Sequence, residues 1–316
     1  MYNINQHLNV VMVSGAGGDI GIAIGRILQE QKITNVIGCD AKTGHVGECV
    51  FDRFIQSPLA RDEDYFIFLK STFERDKVEL FIPTSEAEIK AIFDFGLADG
   101  KLFGVSVLIA SEKAALIALD KLETANVLKE SGLNSPWTHS ANFLPNEVPC
   151  IFKPRSGQGS KGLKVVESLS EAENLINIGD YIWQELLLPD EQEFTCGVYR
   201  HASGECRFII MRRTLSGGFT DKGEVVENLE IEQYILNIAQ SLNIQGAVNF
   251  QLRLTARGPF LFEINPRLSS TVMFRHKLGF TDLVWAIEEI LSLPLSDYNP
   301  PKNGTKFYRG IQEYIK

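Results

Sequence analysis

The sequence predicts an α/β amino-terminal region followed by an α+β remainder, and three observations support that prediction. Short apolar runs alternate with helical patterns over about the first 110 residues, as in a parallel sheet covered by helices. A helical stretch then runs from Ser111 to about Ser131, with an interruption near Asp120-Lys121. From Pro149 onward, short strand patterns dominate and helices only interrupt them.

Each element of the first region has its own pattern. Four apolar runs have the length of buried strands, and they cover residues 8–13, 35–39, 79–82 and 104–109. Helical spacing occupies the segments between them, at residues 20–31, 62–75 and 86–95. Strands separated by helices of this length favour a parallel sheet.

The carboxyl-terminal region contains more strands at shorter spacing. Strand patterns occur at residues 150–153, 163–166, 181–184, 193–199, 206–211, 247–252 and 259–264, and helical patterns at about 170–178, 228–242 and 282–291. These changes of pattern divide the chain into three parts, with boundaries near residue 110 and at residues 132–136.

Composition excludes several classes of function. A chain of 316 residues with a net charge of -9 would repel a phosphate backbone over most of its surface, so we expect no nucleic-acid partner. No stretch approaches the ~20 apolar residues that span a bilayer, and the polar start is unlike a signal peptide. We therefore expect a cytoplasmic protein without a membrane partner. Five cysteines without a Cys-x-x-Cys pair indicate neither a disulfide framework nor a zinc site.

A glycine cluster near the start favours one rival hypothesis. Gly15, Gly18 and Gly21 follow a strand and open a helix, and Asp40 ends the next strand, as in a dinucleotide-binding turn. The chain could then be a nicotinamide-dependent sugar-nucleotide epimerase or reductase. Such an enzyme needs Tyr and Lys one helical turn apart, but two prolines between Tyr298 and Lys302 forbid that helix.

A second glycine-rich segment, Gly157 to Gly162, lies between two predicted strands. A small flexible loop can place backbone N–H groups over phosphates, and Lys153 at the end of the preceding strand adds a positive charge. The alternative is a mobile hairpin tip with solubilising side chains. Downstream, the apolar connector after Gln184 is suited to adenine, and Glu193 on the next strand to ribose hydroxyls.

Near the carboxyl end, three polar residues alternate along one predicted strand. Glu263, Asn265 and Arg267 share a face because strand side chains alternate. A hairpin turn after the strand at residues 247–252 brings Gln251 beside Glu263. A hard divalent cation that bridges phosphates prefers oxygen ligands such as these, of which only Glu263 is certainly charged. The planar guanidinium of Arg267 can bind a phosphate or a carboxylate through two hydrogen bonds. The alternative is an exposed polar face of a sheet.

The order of these motifs resembles that of the ATP-grasp superfamily, and most closely short, single-copy relatives of the carbamoyl-phosphate synthetase large subunit. The resemblance covers nearly the whole chain. It implies an ATP-grasp fold preceded by a Rossmann-like, pre-ATP-grasp α/β domain at residues 1–111, whose glycine turn need not bind a cofactor. The implied lid subdomain, with its linker helix, is residues 112–185, and the implied carboxyl-terminal subdomain with the metal site is residues 186–316. It also implies ATP and two Mg²⁺ ions as cofactors, with Mn²⁺ able to substitute.

The resemblance assigns roles residue by residue. Phosphate contacts fall to Lys121 and Lys153, and the lid over ATP to Gly157, Gly159, Ser160 and Gly162. Adenine would lie against Gln184, Glu185, Leu186 and Leu187, and ribose against Glu193. Two metal ions would be bound by Gln251, Glu263 and Asn265, while Arg267 steadies the transferred phosphoryl group. Arg213 matches a basic position near the γ-phosphate, although Arg212 is an equally basic neighbour.

The implied reaction is ATP-dependent ligation. A carboxylate attacks the γ-phosphorus, and an amine then displaces phosphate from the acyl phosphate to give an amide. Small-molecule carboxylates and amines are thus the expected partners. A non-catalytic ATP-binding sensor remains an alternative, whereas a single ATP-grasp unit argues against a true carbamoyl-phosphate synthetase. Relatives of this kind are often dimers, so a homodimer is one expectation.

The acceptor side gives several candidates. Ser269, Ser270 and Thr271 replace the glycines that many relatives have after Asn-Pro-Arg, and their hydroxyls are candidates for the carboxylate pocket. Arg155, Arg275 and His276 are candidates for a substrate carboxylate, with a solvated helix face as the alternative for the last two. Glu86 and Glu88 could hold an amine or simply favour the helix that follows them.

Overall fold

A computed structural model describes residues 4–157 and 162–315. The first of three sheets is mainly parallel and has the strand order β3-β2-β1-β4-β6-β5. Only β5 runs antiparallel, against β6. The strands are β1 (Val10–Val13), β2 (Asn35–Asp40), β3 (Arg53–Gln56), β4 (Leu80–Ile82), β5 (Lys101–Leu102) and β6 (Val105–Val107).

Four helices connect these strands, namely α1 (Asp19–Glu30), α2 (Gly47–Val50), α3 (Tyr65–Asp76) and α4 (Glu86–Phe95). The turn from β1 into α1 is tight: a Cβ on Gly21 would lie 2.3 Å from the carbonyl oxygen of Gly15. This close approach explains Gly21 by packing alone, and a φ of +58° favours glycine at position 15. Ser85 begins α4 with a capping box, in which its side chain and Glu88 exchange hydrogen bonds with each other's backbone.

Two helices, α5 (Glu112–Leu119) and α6 (Lys121–Glu130), follow the first sheet. Asp120 separates them, because its carboxylate accepts hydrogen bonds from the backbone of Leu122 and Glu123 and so begins a new helix. The predicted interruption at Asp120-Lys121 is confirmed.

The second sheet has four antiparallel strands in the order β7-β10-β8-β9. They are β7 (Thr138–Ser140), β8 (Cys150–Pro154), β9 (Lys164–Val166) and β10 (Tyr181–Glu185), with α7 (Leu169–Glu173) between the last two. The helix is shorter than the predicted segment at residues 170–178. Trp183 and Phe152 bury one face of this sheet.

The third sheet is antiparallel and has the order β15-β14-β11-β12-β13-β16. Its strands are β11 (Glu193–Arg200), β12 (Cys206–Ser216), β13 (Phe219–Val225), β14 (Gly246–Thr255), β15 (Gly258–Asn265) and β16 (Lys306–Tyr308). The associated helices are α8 (Leu229–Ser241), α9 (Val272–Lys277) and α10 (Asp282–Ile290), and a short 3-10 turn, Asp190–Gln192, precedes β11.

Apolar clusters join these layers. One cluster connects α1 and the first sheet with α10 and the back of the third sheet. A second packs α5 and α8 against β11, β14 and β15. The predicted α/β amino-terminal layer and α+β remainder are therefore confirmed, while the limits of the three domains stay predictions. Among the described residues, no helix combines the length and apolar content that crossing a membrane requires.

Candidate functional site

A cleft of about 660 Å³ lies between the second and third sheets and reaches the start of α1. Most of the residues proposed from sequence line it: Lys153, Gln184, Glu185, Leu186, Leu187, Glu193, Arg213, Gln251, Glu263, Asn265, Arg267, Ser269 and Ser270. Leu163 and Val165 supply an apolar wall near the connector after β10. Gly159 and Ser160 lie outside the described residues.

The β14–β15 hairpin brings the expected metal ligands together. Gln251 pairs directly with Glu263, and Asn249 pairs with Asn265. The Asn265 amide donates a hydrogen bond of 2.9 Å to Glu263 Oε1. The predicted alternation therefore holds for Glu263 and Asn265, which share a face of the strand.

A β-bulge interrupts this hairpin beside Glu263. Gln251 pairs with Glu263 but the next residue, Leu252, pairs with Leu261, so Phe262 is the extra residue. As a result, Phe262 and Glu263 both line the cleft although they are consecutive. Simple alternation would place only one of them there.

Lys153 lies at the end of β8 with its ammonium group almost completely buried. Its Nζ donates to the carbonyl oxygen of Phe262 at 3.4 Å and lies 5.8 Å from the centre of the Phe262 ring. Burial lowers the pKa of Lys153 to about 8, with Glu263 opposing and Lys121 adding to the decrease. A buried cation beside Glu263 is well placed to meet an added anion.

Lys121 is also buried. Its Nζ donates a 2.6 Å hydrogen bond to the carbonyl oxygen of Gly157, at the start of the glycine-rich loop. Lys121 thus connects α6 to the loop predicted to cover the phosphates. Arg155 pairs with Asp120 at 2.6 Å, so it braces the cap of α6 and does not line the cleft.

Glu193 is held by two arginines at the other end of the cleft. Arg213 donates to Glu193 Oε1 at 3.0 and 2.8 Å and to Gln251 at 2.9 Å. Arg253 donates to Glu193 Oε2 at 2.8 Å. Arg212 instead pairs with Glu224, so of the two neighbouring arginines Arg213 is the one that lines the cleft.

Arg267 follows β15 and is buried against Glu86 from the start of α4, at 3.2 Å. Burial raises the pKa of Glu86, Arg267 opposes that rise, and Glu263 adds to it. Glu86 thus joins the start of α4 to the end of the cleft that contains Arg267. Glu88 does not take part, because it accepts hydrogen bonds from Ser14, Tyr65 and Ser85 inside the first domain.

The structure corrects the expectation for Arg275. Both sequence interpretations exposed its side chain, to a substrate or to solvent, but it is fully buried and pairs with Asp282 at 2.6 Å. It also donates to Asn249, Ser269 and Thr271. Arg275 therefore supports the cleft wall from behind. His276 lies 3.4 Å from Glu30 and does not line the cleft, and Thr271 is completely buried.

The first glycine turn uses its polar residues internally. Asp40 accepts hydrogen bonds from the backbone of Gly17 and Lys42, and a Cβ on Gly17 would lie 2.6 Å from the His45 ring. Asp40 therefore stabilises the turn through these hydrogen bonds, whereas in a dinucleotide-binding protein the acidic residue at this position binds the ribose. This arrangement gives the nicotinamide hypothesis no structural support.

Several residues of the cleft were missed by the sequence reasoning. Asp19, Asn249 and Arg253 line it, as do the β12–β13 turn residues Gly217 and Gly218. Burial raises the pKa of Asp19, with Arg309 and Arg267 opposing that rise. The alternation that selected Gln251 also contains Asn249 and Arg253, two residues to either side, so the signal for both was present.

The oxygen donors fit a hard divalent cation in part. Glu263 supplies one carboxylate, Gln251 directly opposite supplies an amide oxygen, and Asn265, two residues further along β15, supplies a second amide oxygen. Among the described residues, no group of three His, Cys, Asp or Glu side chains could hold a metal ion without other ligands.

Comparisons with known proteins agree with this geometry. Residues 181–309 match the family model described as "ATP-grasp in the biosynthetic pathway with Ter operon". N5-carboxyaminoimidazole ribonucleotide synthetase from Thermus thermophilus superposes with a TM-score of 0.72 at 17% identity, over 92% of this chain and 81% of that one. L-amino acid ligase from Bacillus licheniformis superposes with a TM-score of 0.70 at 18% identity, over 93% of this chain and 77% of that one.

A third similar structure is that of a differently named enzyme. Biotin carboxylase from Campylobacter jejuni has a TM-score of 0.67 at 14% identity, over 93% of this chain and 73% of that one. Identities this low show the shared fold only, and the family model adds the carboxyl-terminal region. Residues 181–309 therefore match an ATP-grasp family model, and more than nine-tenths of the chain shares its fold with these three enzymes.

Proposed function

We propose that this protein is an ATP-dependent ligase that activates a small carboxylate as an acyl phosphate and couples it to an amine. The observation that supports this best is the direct pairing of Gln251 with Glu263 in a cleft that also contains Lys153 and Arg267. The names of the similar structures support it further, since they include a synthetase, an amino acid ligase and a carboxylase.

The nucleotide would bind along the cleft from the connector to the hairpin. Backbone groups of Glu185 to Leu187 take adenine, and Glu193 takes ribose. Lys153 and Lys121 then contact the phosphates. Each of these two buried cations gains a favourable interaction when an anion enters, because burial has removed much of its water.

The reaction needs charge compensation more than a side-chain nucleophile. The substrate carboxylate oxygen attacks the γ-phosphorus, the bond to the β-phosphate oxygen breaks, and ADP leaves. Mg²⁺ held by Gln251, Glu263 and Asn265 would neutralise phosphate charge. Arg267, which Glu86 orients, stabilises the transferring group. The amine then attacks the acyl carbon, loses a proton and displaces inorganic phosphate, leaving the amide.

Trapping the activated carboxylate tests this proposal without knowledge of the amine. The protein is incubated with ATP, Mg²⁺ and arrays of carboxylates, and hydroxylamine converts any acyl phosphate to a hydroxamate. Phosphate release is followed in parallel. We expect at least one carboxylate to give both signals. If ADP binds but no carboxylate yields a hydroxamate or phosphate, the ligase proposal is wrong and a nucleotide sensor becomes the better explanation.

Glu263→Gln is the decisive variant. It keeps the shape of the side chain but removes the only carboxylate among the three expected metal ligands, so we expect turnover to fall roughly 100-fold or more with the fold intact. Glu63→Gln, at an exposed position outside the cleft, is the matched control and should retain wild-type turnover. Near wild-type turnover in Glu263→Gln would refute the assignment.

A further inference from the structure

Arg253 joins three separate acceptors around the proposed nucleotide end of the cleft. Its guanidinium donates to the carbonyl oxygen of Leu187, to Asp190 at 2.7 Å and to Glu193 at 2.8 Å. Only 13% of the Arg253 side chain is exposed. The predicted adenine connector, the 3-10 turn and the predicted ribose acid are thus connected through one side chain.

The sheet places Arg253 there by register. Glu193 at the start of β11 pairs directly with Arg253 on β14, and Thr195 pairs with Gln251. Arg253 and Gln251 share a face because they are two residues apart. Arg213 then contacts both Glu193 and Gln251. Hydrogen bonds therefore run without a break from Leu187 through Arg253, Glu193 and Arg213 to Gln251.

We propose that Arg253 is a nucleotide-positioning residue, which fixes the Leu187 peptide and the Glu193 carboxylate in the orientation that the nucleotide requires. The proposal rests on the proposed function, since it assigns the nucleotide to this end of the cleft. Arg253 itself need not touch the nucleotide.

The geometry of the guanidinium explains why an arginine is needed. Its donors lie in a rigid plane and reach acceptors in different directions, whereas a lysine ammonium is a single point on a flexible chain. Glu193 retains Arg213 as a partner when Arg253 is removed. Its carboxylate is then held by Arg213 and no longer by Arg253, and the Leu187 carbonyl loses a charged donor. The binding surface for adenine and ribose should become less ordered, at a cost to affinity.

Calorimetric titration with ADP, together with steady-state kinetics in ATP, tests this inference. For Arg253→Met we expect the Kd for ADP and the KM for ATP to rise about tenfold, while kcat stays within about threefold of wild type. Arg75→Met removes an exposed arginine of α3 that pairs with Asp76 outside the cleft, and it should change neither constant.

The outcomes separate positioning from a merely structural role. Loss of packing would lower the fraction of protein that binds ADP, without changing Kd or KM for the fraction that remains folded. That result, or unchanged constants, would overturn the inference. Should Arg253→Met fail to fold, Arg253→Lys takes its place: it keeps the charge but cannot span three acceptors, so a raised KM for ATP is still expected, and a wild-type KM would overturn the inference.

The same titration distinguishes this inference from the proposed function. A wild-type protein that binds no ADP would refute the proposed function and this inference with it. If the wild-type protein binds ADP and Arg253→Met binds it with equal affinity, only the positioning role is refuted.

Discussion

Lys153 should make nucleotide binding depend on pH in a way that identifies this residue. Its pKa lies at about 8 because the ammonium is buried, so about half of the free protein carries a neutral Lys153 at pH 8. Phosphates bound beside Lys153 favour the charged form and raise its pKa. Binding of ADP must then be accompanied by proton uptake.

The size of this uptake follows from the pKa. If bound phosphates raise the pKa of Lys153 well above 9, binding takes up about 0.1 proton at pH 7, about 0.5 at pH 8 and about 0.9 at pH 9. Affinity for ADP should accordingly be nearly constant below pH 7 and fall by about tenfold for each pH unit well above 8.

Calorimetry in two buffers of different ionisation enthalpy measures the protons directly at each pH. The uptake should disappear in Lys153→Met and persist in Lys70→Met, which removes an exposed lysine of α3. An uptake at pH 8 that is equal in wild type and Lys153→Met would refute the reasoning.

The same buried charge affects the stability of the free protein. The pKa of Lys153 is lower in the folded than in the unfolded state, so the unfolded state binds more protons between pH 8 and 10.5 and stability rises with pH there. Below pH 8, Lys153 is charged in both the folded and the unfolded state, so burying its charge lowers the free energy of unfolding by up to about 3 kcal/mol. Lys153→Met should thus be no less stable than wild type at pH 7.

Two further substitutions test other contacts. Arg275→Met leaves Asp282 as a buried carboxylate without its ion-pair partner, so we expect urea denaturation to show a loss of about 3–5 kcal/mol. Arg75→Met should cost about 1 kcal/mol or less, and an equal cost for both would contradict the importance of the buried pair. Arg267→Lys keeps the charge but not the planar fork, and we expect kcat for phosphate release to fall at least about tenfold with little change in the KM for ATP. An unchanged kcat would exclude a role for this arginine in phosphoryl transfer.

The sequence predicted those parts of the fold and cleft that depend on local pattern. The hairpin turn and the alternation of β15 were enough to place Gln251 beside Glu263, and the register confirms that pair. The break at Asp120-Lys121 was visible because Asp is a good first residue for a new helix. Apolar runs located the buried strands of both larger sheets, since burial on one or two faces leaves a clear signal.

Other features depend on contacts between distant segments. Strand β13 was not predicted because its residues, Phe219 to Val225, are largely polar and its strand pairing comes from β12 and β16. Arg275 looked like a surface residue because nothing local shows that Asp282 and Asn249 enclose it. Arg253 was not singled out, because it follows the predicted strand at residues 247–252 and its partners Leu187, Asp190 and Glu193 lie 66, 63 and 60 residues away in sequence.

The bulge at Phe262 means that odd and even positions exchange faces within a single strand. Leu261 lies in the apolar core, yet Glu263, two residues later, lines the cleft, and Ile264 returns to the core. A library designed with strict alternation along residues 258–265 would put a polar residue into the core or an apolar one at the expected metal site. Before Phe262, odd-numbered positions should therefore require apolar residues, and after Phe262 even-numbered positions should require them.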